Sequence, residues 1–256
     1  MKKIGLKLWS TNLTYIPEAQ DLFAKKVFDY IELFIVPGSC GMIPHWKKLG
    51  IPYILHAPHS YAGLNPSDSS KRHVNMGLIR EVDLFFSALM PTWVIFHPGV
   101  NGDINESVMQ FRSFRDSFAE MYQRVLIENK PQVGLRGEQC LGASVEEVRS
   151  ILTQTGLGFC LDFGHAICYA ISAKKIWEQI VAGFLELNPA MFHVCDGYYS
   201  GQDAHEHLGK GQFDLSKIIK YLHSDAMLTV ETKKDFPDSL DDFLQDVNFL
   251  QHLMIL

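Results

Sequence analysis

Eight short apolar runs recur along the chain, and their spacing constrains the fold more than any other feature of the sequence. Each run is too short for a helix and is nearly continuous in apolar residues, which is typical of strands buried on both faces. The predicted strands are Ile4–Trp9, Tyr30–Val36, Tyr53–His56, Trp93–His97, Val125–Glu128, Gly158–Asp162, Met191–Val194 and Met227–Glu231.

The segments between these runs have the spacing of amphipathic helices. Helices are predicted at Ser70–Leu89, at Glu106–Tyr122, after Ser144, and at Ser172–Phe184, Asp214–Leu222 and Ser239–Leu250. Asn105 is the predicted N-cap of the second helix, and Ser144 with Glu147 has the spacing of a capping box. Eight strand–helix alternations in 256 residues predict an α/β fold, a single (β/α)8 TIM barrel formed by residues 1–256.

A doubly wound open sheet is the alternative architecture, because periodicity alone does not show whether a sheet closes. No glycine-rich phosphate-binding fingerprint follows an early strand in the sequence, however. Since such a fingerprint is typical of dinucleotide-binding open sheets, its absence favours the barrel.

Composition and charge exclude several other classes of protein. A hydrophobic fraction of 47% is too high for a disordered chain, and no apolar run reaches the roughly 18 residues that a membrane-spanning helix needs. The five cysteines form no C-x-x-C pair, which indicates reduced thiols and predicts a cytoplasmic protein. The net charge of −6 is unfavourable for binding a DNA backbone.

Histidines and acidic residues fall at, or just beyond, the ends of the predicted strands. They are His56, His97, Glu128, Asp162, His165, His193, Asp203, His205 and Glu231. In a β/α barrel these strand ends meet at one face, where active sites lie. Any one of these residues could simply be hydrogen-bonded, but buried carboxylates are costly unless they pair with charge or bind a metal. Imidazole with carboxylate suits Zn, Mn, Fe or Co, so the pattern predicts a divalent-metal site.

Two further histidines are candidates for substrate binding. His59 follows His56 by three residues and either contacts the substrate or supports a metal ligand. His207 follows His205 by two residues and either shares the face of that loop or lies in a solvated turn.

Seven segments, in their order and at their places on successive strands, resemble a known superfamily. They are Leu55–Pro58, Phe96–Gly99, Ile127–Asn129, Leu161–Ala166, His193–Gly197, Asp203–Gly211 and Val230–Thr232. This pattern is similar to that of the endonuclease IV and sugar isomerase superfamily of xylose-isomerase-like TIM barrels, also called AP endonuclease family 2.

The endonuclease IV branch of this superfamily implies a site with up to three ions, usually zinc. Carried over by position, the resemblance implies one ion on His56, His97 and Glu128, a second on Glu128, Asp162, His193 and Glu231, and a third on His165, Asp203 and His205. A cluster of this kind hydrolyses a phosphodiester or phosphoester, in abasic DNA or in a smaller phosphorylated substrate.

The sugar isomerase and epimerase branch implies a different reaction at a subset of the same residues. There, the positions of Glu128, Asp162, His193 and Glu231 hold a single ion, and Glu128 and Glu231 are the catalytic acid and base. Hydrolysis is the leading hypothesis, because a one-metal proton transfer has no obvious use for five additional ligands. A third hypothesis is a non-catalytic barrel that serves as a binding module.

Two departures from endonuclease IV weaken the prediction that DNA is the substrate. The segment Pro37–Met42 is short and uncharged where the family has a basic DNA-penetrating loop, and His59 stands where the family has a stacking tyrosine. A small phosphorylated or sugar substrate is therefore better supported than DNA, and no membrane partner is predicted. The sequence predicts no particular oligomeric state.

Overall fold

Eight parallel strands close into a barrel in chain order, and β1 pairs with both β2 and β8. The computed structural model describes residues 2–255. Its strands are β1 Lys3–Trp9, β2 Tyr30–Phe34, β3 Tyr53–His56, β4 Val94–Phe96, β5 Val125–Glu128, β6 Gly158–Asp162, β7 Met191–Val194 and β8 Met227–Val230. The predicted TIM barrel is confirmed, and the open-sheet alternative is wrong.

Helices follow the strands and cover the outside of the barrel. They are α1 Ile16–Ala24, α2 Ile43–Lys47, α3 Arg72–Leu89, α4 Ile104–Ser117, α5 Ala119–Tyr122, α6 Val145–Thr155, α7 Phe163–Ser172, α8 Trp177–Leu185, α9 Leu215–Lys220 and α10 Asp241–Ile255. Among residues 2–255, no helix combines the length and the apolar character needed to cross a bilayer.

Two predicted helices differ from those in the structure. The helix predicted at Glu106–Tyr122 is interrupted at Phe118, whose backbone has a φ of −138° and a ψ of 50°, and its N-cap is Asp103 rather than Asn105. The helix predicted at Ser172–Phe184 corresponds to α8, but its predicted start is too early, because α7 ends at Ser172 and α8 begins at Trp177. Helix α7 was not predicted from the sequence.

The early start of α7 has a local cause in the last residue of β6. The side chain of Asp162 caps the helix by accepting a hydrogen bond of 2.7 Å from the backbone N–H of His165. Because the capping residue is also the last residue of the strand, no loop separates the two elements. This turn brings His165 close to Asp162 at the barrel mouth.

The strand ladders also end slightly earlier than predicted. Strand β4 ends at Phe96 and β8 ends at Val230, so that His97 and Glu231 directly follow their strands rather than ending them. His97 and Glu231 still lie at the end of the barrel where the carboxyl ends of the strands meet.

The interior of the barrel is built in levels, because alternate residues of a strand point to the same side. One level is a separate apolar cluster of Tyr30, Ile54, Ile95, Leu126, Cys160 and Met191, from six consecutive strands. Two residues further along these strands stand Glu32, His56, His97, Glu128, Asp162 and His193. On β1 and β8 the same step leads from Gly5 to Lys7 and from Thr229 to Glu231. The level above the apolar cluster is therefore ionisable on all eight strands.

Gly5 leaves the space that the ring of Tyr30 fills in the barrel interior. A Cβ at Gly5 would lie 2.3 Å from Cε2 of Tyr30, and the buried Tyr30 hydroxyl is 3.1 Å from Oγ1 of Thr229. We expect Gly5→Ala to lower the free energy of unfolding by about 1–3 kcal/mol, because the ring cannot move aside without disturbing this level.

Gly77 provides the matched control for this substitution. It lies within α3, where an added Cβ would meet no atom within 4 Å. Gly77→Ala should raise the free energy of unfolding by about 0.5–1 kcal/mol, since alanine favours helix. Urea denaturation of both variants measures the difference, and equal stabilities would contradict the packing argument.

Candidate metal centre

A cavity of about 340 Å³ opens above the ionisable level at the carboxyl ends of the strands. Seven of the nine predicted ligands line this cavity. The remaining two, Asp162 and His193, are 1% and 0% exposed and lie beneath the others. Four groups of three acidic or histidine side chains have ligand atoms within 4.8 Å of one another. The structure thus brings all nine residues together at one face.

The first group consists of His56, His97 and Glu128. Nε2 of each histidine lies 3.1 Å from the same carboxylate oxygen, Oε2 of Glu128. Nδ1 of His56 is 2.9 Å from the backbone oxygen of Ala57 and donates its hydrogen there. This leaves the Nε2 lone pair of His56 available to a cation, as in many metal sites where the second ring nitrogen is held by a hydrogen bond.

The group predicted for a third ion has its own central oxygen, Oδ2 of Asp203. Nε2 of His165 lies 3.1 Å from this oxygen and Nε2 of His205 lies 3.0 Å from it. The Nδ1 atoms of these rings lie 2.8 Å from the backbone oxygens of Asn129 and Glu231, respectively. His205 has a φ of +47°, and such a strained backbone is often found at functional sites.

The residues predicted for the second ion surround Nδ1 of His193. This atom is 2.8 Å from Oε2 of Glu231, 3.7 Å from Oε2 of Glu128 and 3.8 Å from Oδ2 of Asp162. The four residues do not form one tight group, however. Asp162 groups with Glu128, while Glu231 is drawn to the other side by the ammonium of Lys7, 3.1 Å from its Oε1.

Sequence reasoning missed two charged residues of this centre, Lys7 and Glu32. Nζ of Lys7 lies 2.5 Å from Oε1 of Glu32 and 3.1 Å from Oε1 of Glu231, and Glu32 is fully buried. Both residues stand inside strands that are otherwise nearly continuous in apolar residues, whereas the predicted ligands stand at or just beyond strand ends. The signal was present in the two-residue step from Gly5 to Lys7 and from Tyr30 to Glu32.

Burial and close charges shift the protonation of these residues in opposite directions. Burial alone would raise the pKa of Glu128, but His97 and His193 outweigh it and hold the pKa well below its usual value. Burial would lower the pKa of His165, but Asp162 and Asp203 together outweigh it and raise the pKa to about 9. Burial dominates at Asp162 itself and raises the pKa of its carboxyl.

Unpaired buried atoms of these residues fit a divalent cation. Among residues 2–255, six buried side-chain nitrogen or oxygen atoms have no hydrogen-bond partner. Four of them belong to predicted ligands, namely Asp162 Oδ2, His193 Nδ1, Asp203 Oδ1 and Glu231 Oε2. Buried acceptors without donors are costly, and a bridging cation removes this cost. The nitrogen and oxygen donor set suits Zn, Mn, Fe or Co.

The two histidines predicted to bind substrate have different surroundings. His59 lines the cavity and stacks on His97, with ring centroids 5.6 Å apart, and burial lowers its pKa to about 3. His207 is not among the described residues that line the cavity. Its Nδ1 lies 2.9 Å from Oδ2 of Asp246 and its Nε2 lies 3.2 Å from Oδ2 of Asp235. The structure therefore ties His207 to α10, away from the predicted substrate.

A single buried carboxylate, Asp196, organises the loop between β7 and α9. Its two oxygens accept backbone hydrogen bonds of 2.8–3.1 Å from Gly197, Gly209, Gly211 and Phe213. The loop between these anchor points carries Asp203 and His205 to the cavity. Sequence reasoning included Asp196 in a family segment but gave it no role.

Asp196→Ala tests whether this carboxylate holds the loop. Four buried or half-buried N–H groups would lose their acceptor, so the free energy of unfolding should fall by about 3 kcal/mol and protease cleavage should concentrate between residues 196 and 213. Chemical denaturation and limited proteolysis measure these effects. Asp225→Ala is the control, because that side chain is 81% exposed and contacts His223 only locally. Equal behaviour of the two variants would contradict the assigned role.

The comparison with known proteins agrees with this geometry. The model of the xylose isomerase-like TIM barrel family matches residues 44–253. The chain belongs to this family. The resemblance predicted from the sequence is therefore confirmed.

One sequence relative and two solved structures show what this chain is similar to. A probable endonuclease 4 of Mycobacterium ulcerans is 24% identical over 201 residues, which cover 74% of this chain and 76% of the relative. Endonuclease IV from Thermus thermophilus has a TM-score of 0.70 at 16% identity and covers 99% of each chain. A D-tagatose 3-epimerase-like protein has a TM-score of 0.74 at 20% identity and covers 99% of this chain and 97% of its own. At these identities, the two structural likenesses show the shared fold.

Proposed function

We propose that this protein is a divalent-metal-dependent hydrolase that cleaves a phosphoester in a small phosphorylated substrate. The observation that carries this proposal is that all nine predicted ligands lie at one face of the barrel in groups of three, with Glu128 common to two of these groups. The proposal includes all nine predicted ligands and up to three ions, of which zinc is the expected metal and Mn, Fe or Co the alternatives.

The number of ligand groups favours hydrolysis over proton transfer. Bound divalent ions would supply positive charge to the attacking and leaving oxygens of a phosphoester and would lower the pKa of a water molecule. A proton transfer beside one ion needs only the residues predicted for the second ion, which are Glu128, Asp162, His193 and Glu231. The residues His165, Asp203 and His205 form an additional group with two oriented rings, which the one-metal reaction leaves without a role.

Basic side chains at the cavity support an anionic substrate. Nζ of Lys130 lines the cavity and lies 3.4 Å from Nε2 of His165. Lys233 and Lys234 also line the cavity, and Lys233 is 2.5 Å from Oε1 of Glu206. A phosphate group above the metal ligands would therefore meet ammonium groups as well, and these would hold and orient it.

The shape of the cavity supports a small substrate over duplex DNA. The loop after β5 reaches across the mouth, where the backbone N–H of Leu135 donates a hydrogen bond of 3.0 Å to the Tyr61 hydroxyl. The guanidinium carbon of Arg136 lies 4.5 Å from the centre of the Tyr61 ring. This contact forms a wall on one side of the mouth, and the short uncharged segment 37–42 offers little surface for a nucleic-acid backbone.

A sugar isomerase or epimerase remains the second candidate, with Glu128 and Glu231 as acid and base. The cavity volume of about 340 Å³ favours a substrate of sugar size. Against this reaction, the Glu231 carboxylate already contacts Lys7 through Oε1, while Oε2 of Glu128 lies 3.1 Å from two imidazole nitrogens. Carboxylates engaged in this way are poorly arranged to exchange a proton with a sugar carbon.

The metal content of the purified protein is the first test. We expect two to three equivalents of zinc per chain when the protein is purified without chelator, because the nine residues that the resemblance assigns to three ions all lie at one face. Elemental analysis and protein concentration should be measured on the same sample. A reproducible value of one equivalent would contradict the multinuclear site and favour the isomerase.

The reaction itself is the second test. We expect turnover of small phosphomonoesters or phosphodiesters, such as the 4-nitrophenyl esters, to exceed cleavage of an abasic oligonucleotide.

The substitution Glu231→Gln should reduce turnover by more than roughly 100-fold, which is the loss typical when a residue that hydrogen-bonds a metal ligand is removed. The thermal midpoint of the variant should be unchanged. Glu186→Gln is the control, because that side chain is 73% exposed on α8's C-terminal side. Deuterium uptake from solvent into a ketose, without phosphate release, would overturn the hydrolase proposal.

A further inference from the structure

One of the ligand histidines faces its group with the opposite ring nitrogen. His56, His165 and His205 each hold Nδ1 within 2.8–2.9 Å of a backbone oxygen, so that Nε2 faces the ligand group. His193 instead holds Nε2 at 2.8 Å from Oε2 of Glu32, and its Nδ1 faces Glu231. A side chain from β2 therefore does for His193 what the backbone does for the other three.

Glu32 is suited to accept this hydrogen bond and to do nothing else. Its carboxylate is fully buried and receives the ammonium of Lys7 at 2.5 Å on Oε1 and the Thr229 hydroxyl at 2.7 Å on Oε2. The adjacent ammonium of Lys7 keeps this carboxylate ionised. An ionised carboxylate has no hydrogen to donate, so the hydrogen of this contact is on Nε2 of His193.

Glu32, His193 and Glu231 also have the spacing of a metal-ligand group, but this group already holds a cation. Nζ of Lys7 lies between the two carboxylates, 2.5 Å from Glu32 and 3.1 Å from Glu231. The ammonium balances the buried charge of Glu32 and keeps this carboxylate from acting as a ligand.

From these contacts we infer that Glu32 is a positioning residue, which fixes the Nε2–H tautomer of His193 and directs Nδ1 of that ring to the second metal. Lys7 is the fixed counter-ion that keeps Glu32 in place. The inference rests on the proposed metal centre. It concerns only the second metal site, because the residues predicted for the first and third ions have no contact with Glu32. Loss of Glu32 should therefore weaken one metal site out of three.

The test compares a double variant with two single variants. Lys7→Met with Glu32→Leu removes both members of the ion pair, so that Glu32 is not left buried without its counter-ion. Lys7→Met alone, which keeps Glu32, measures what Glu231 loses with the ammonium. Thr229→Val removes one hydrogen bond to Glu32 and leaves the contact with His193 in place. Zinc affinity is measured for each protein by competition with a chromophoric chelator. We expect one of the sites to weaken by about 10- to 100-fold in the double variant and by much less in Thr229→Val.

Nitrogen NMR of histidine-labelled protein reports which ring nitrogen carries the hydrogen. This observation would not change if the role of Glu32 were merely structural. In the zinc-loaded wild type, one ring should have a protonated Nε2 and a metal-bound Nδ1, and this signal should be missing in His193→Asn. It should persist in Thr229→Val and disappear in the double variant. A double variant that keeps the signal and all wild-type zinc affinities would overturn the inference.

The same spectra separate this inference from the proposed function. If the wild type binds one zinc or none, the proposed function fails, but the metal-free wild type still reports the tautomer of His193. In spectra recorded at a pH where this ring is neutral, an Nε2–H tautomer supports the role of Glu32, and an Nδ1–H tautomer overturns it. The metal-free measurement also needs no variant, so it stands even if the double variant does not fold.

Discussion

The alternation of side chains along closed, parallel strands is the constraint on which the rest of the structure depends. In a barrel, inward residues of neighbouring strands form levels, so a two-residue step on each strand raises the interior from one level to the next. Here that step leads from the apolar cluster around Tyr30, Leu126 and Met191 to a level of eight ionisable side chains. The lower level fills the barrel interior with apolar side chains, and the upper level faces the cavity above it.

The sequence predicted the barrel and the upper level on six strands because both depend on local pattern. Strand runs, a capping serine at Ser144 and ionisable residues at strand ends are all readable without tertiary contacts. Lys7 and Glu32 were missed because the two-residue step that marks them has a meaning only once the levels of the barrel interior are known, and their partners lie on other strands. The role of Asp196 depends on backbone groups up to 17 residues away, and the tether of His207 to Asp246 joins elements 39 residues apart.

The charge balance of the centre explains why cations and an anionic substrate belong to the same hypothesis. Its five carboxylates are Glu32, Glu128, Asp162, Asp203 and Glu231, and its one fixed cation at the floor is Lys7. The pKa values of His165 and His205 are raised, which is how a site of excess negative charge retains protons. Divalent ions would replace those protons and reverse the sign of the site. The metal-loaded site would attract a phosphate, although the floor of the cavity is built from carboxylates. The net charge of −6 therefore does not argue against a phosphoester substrate.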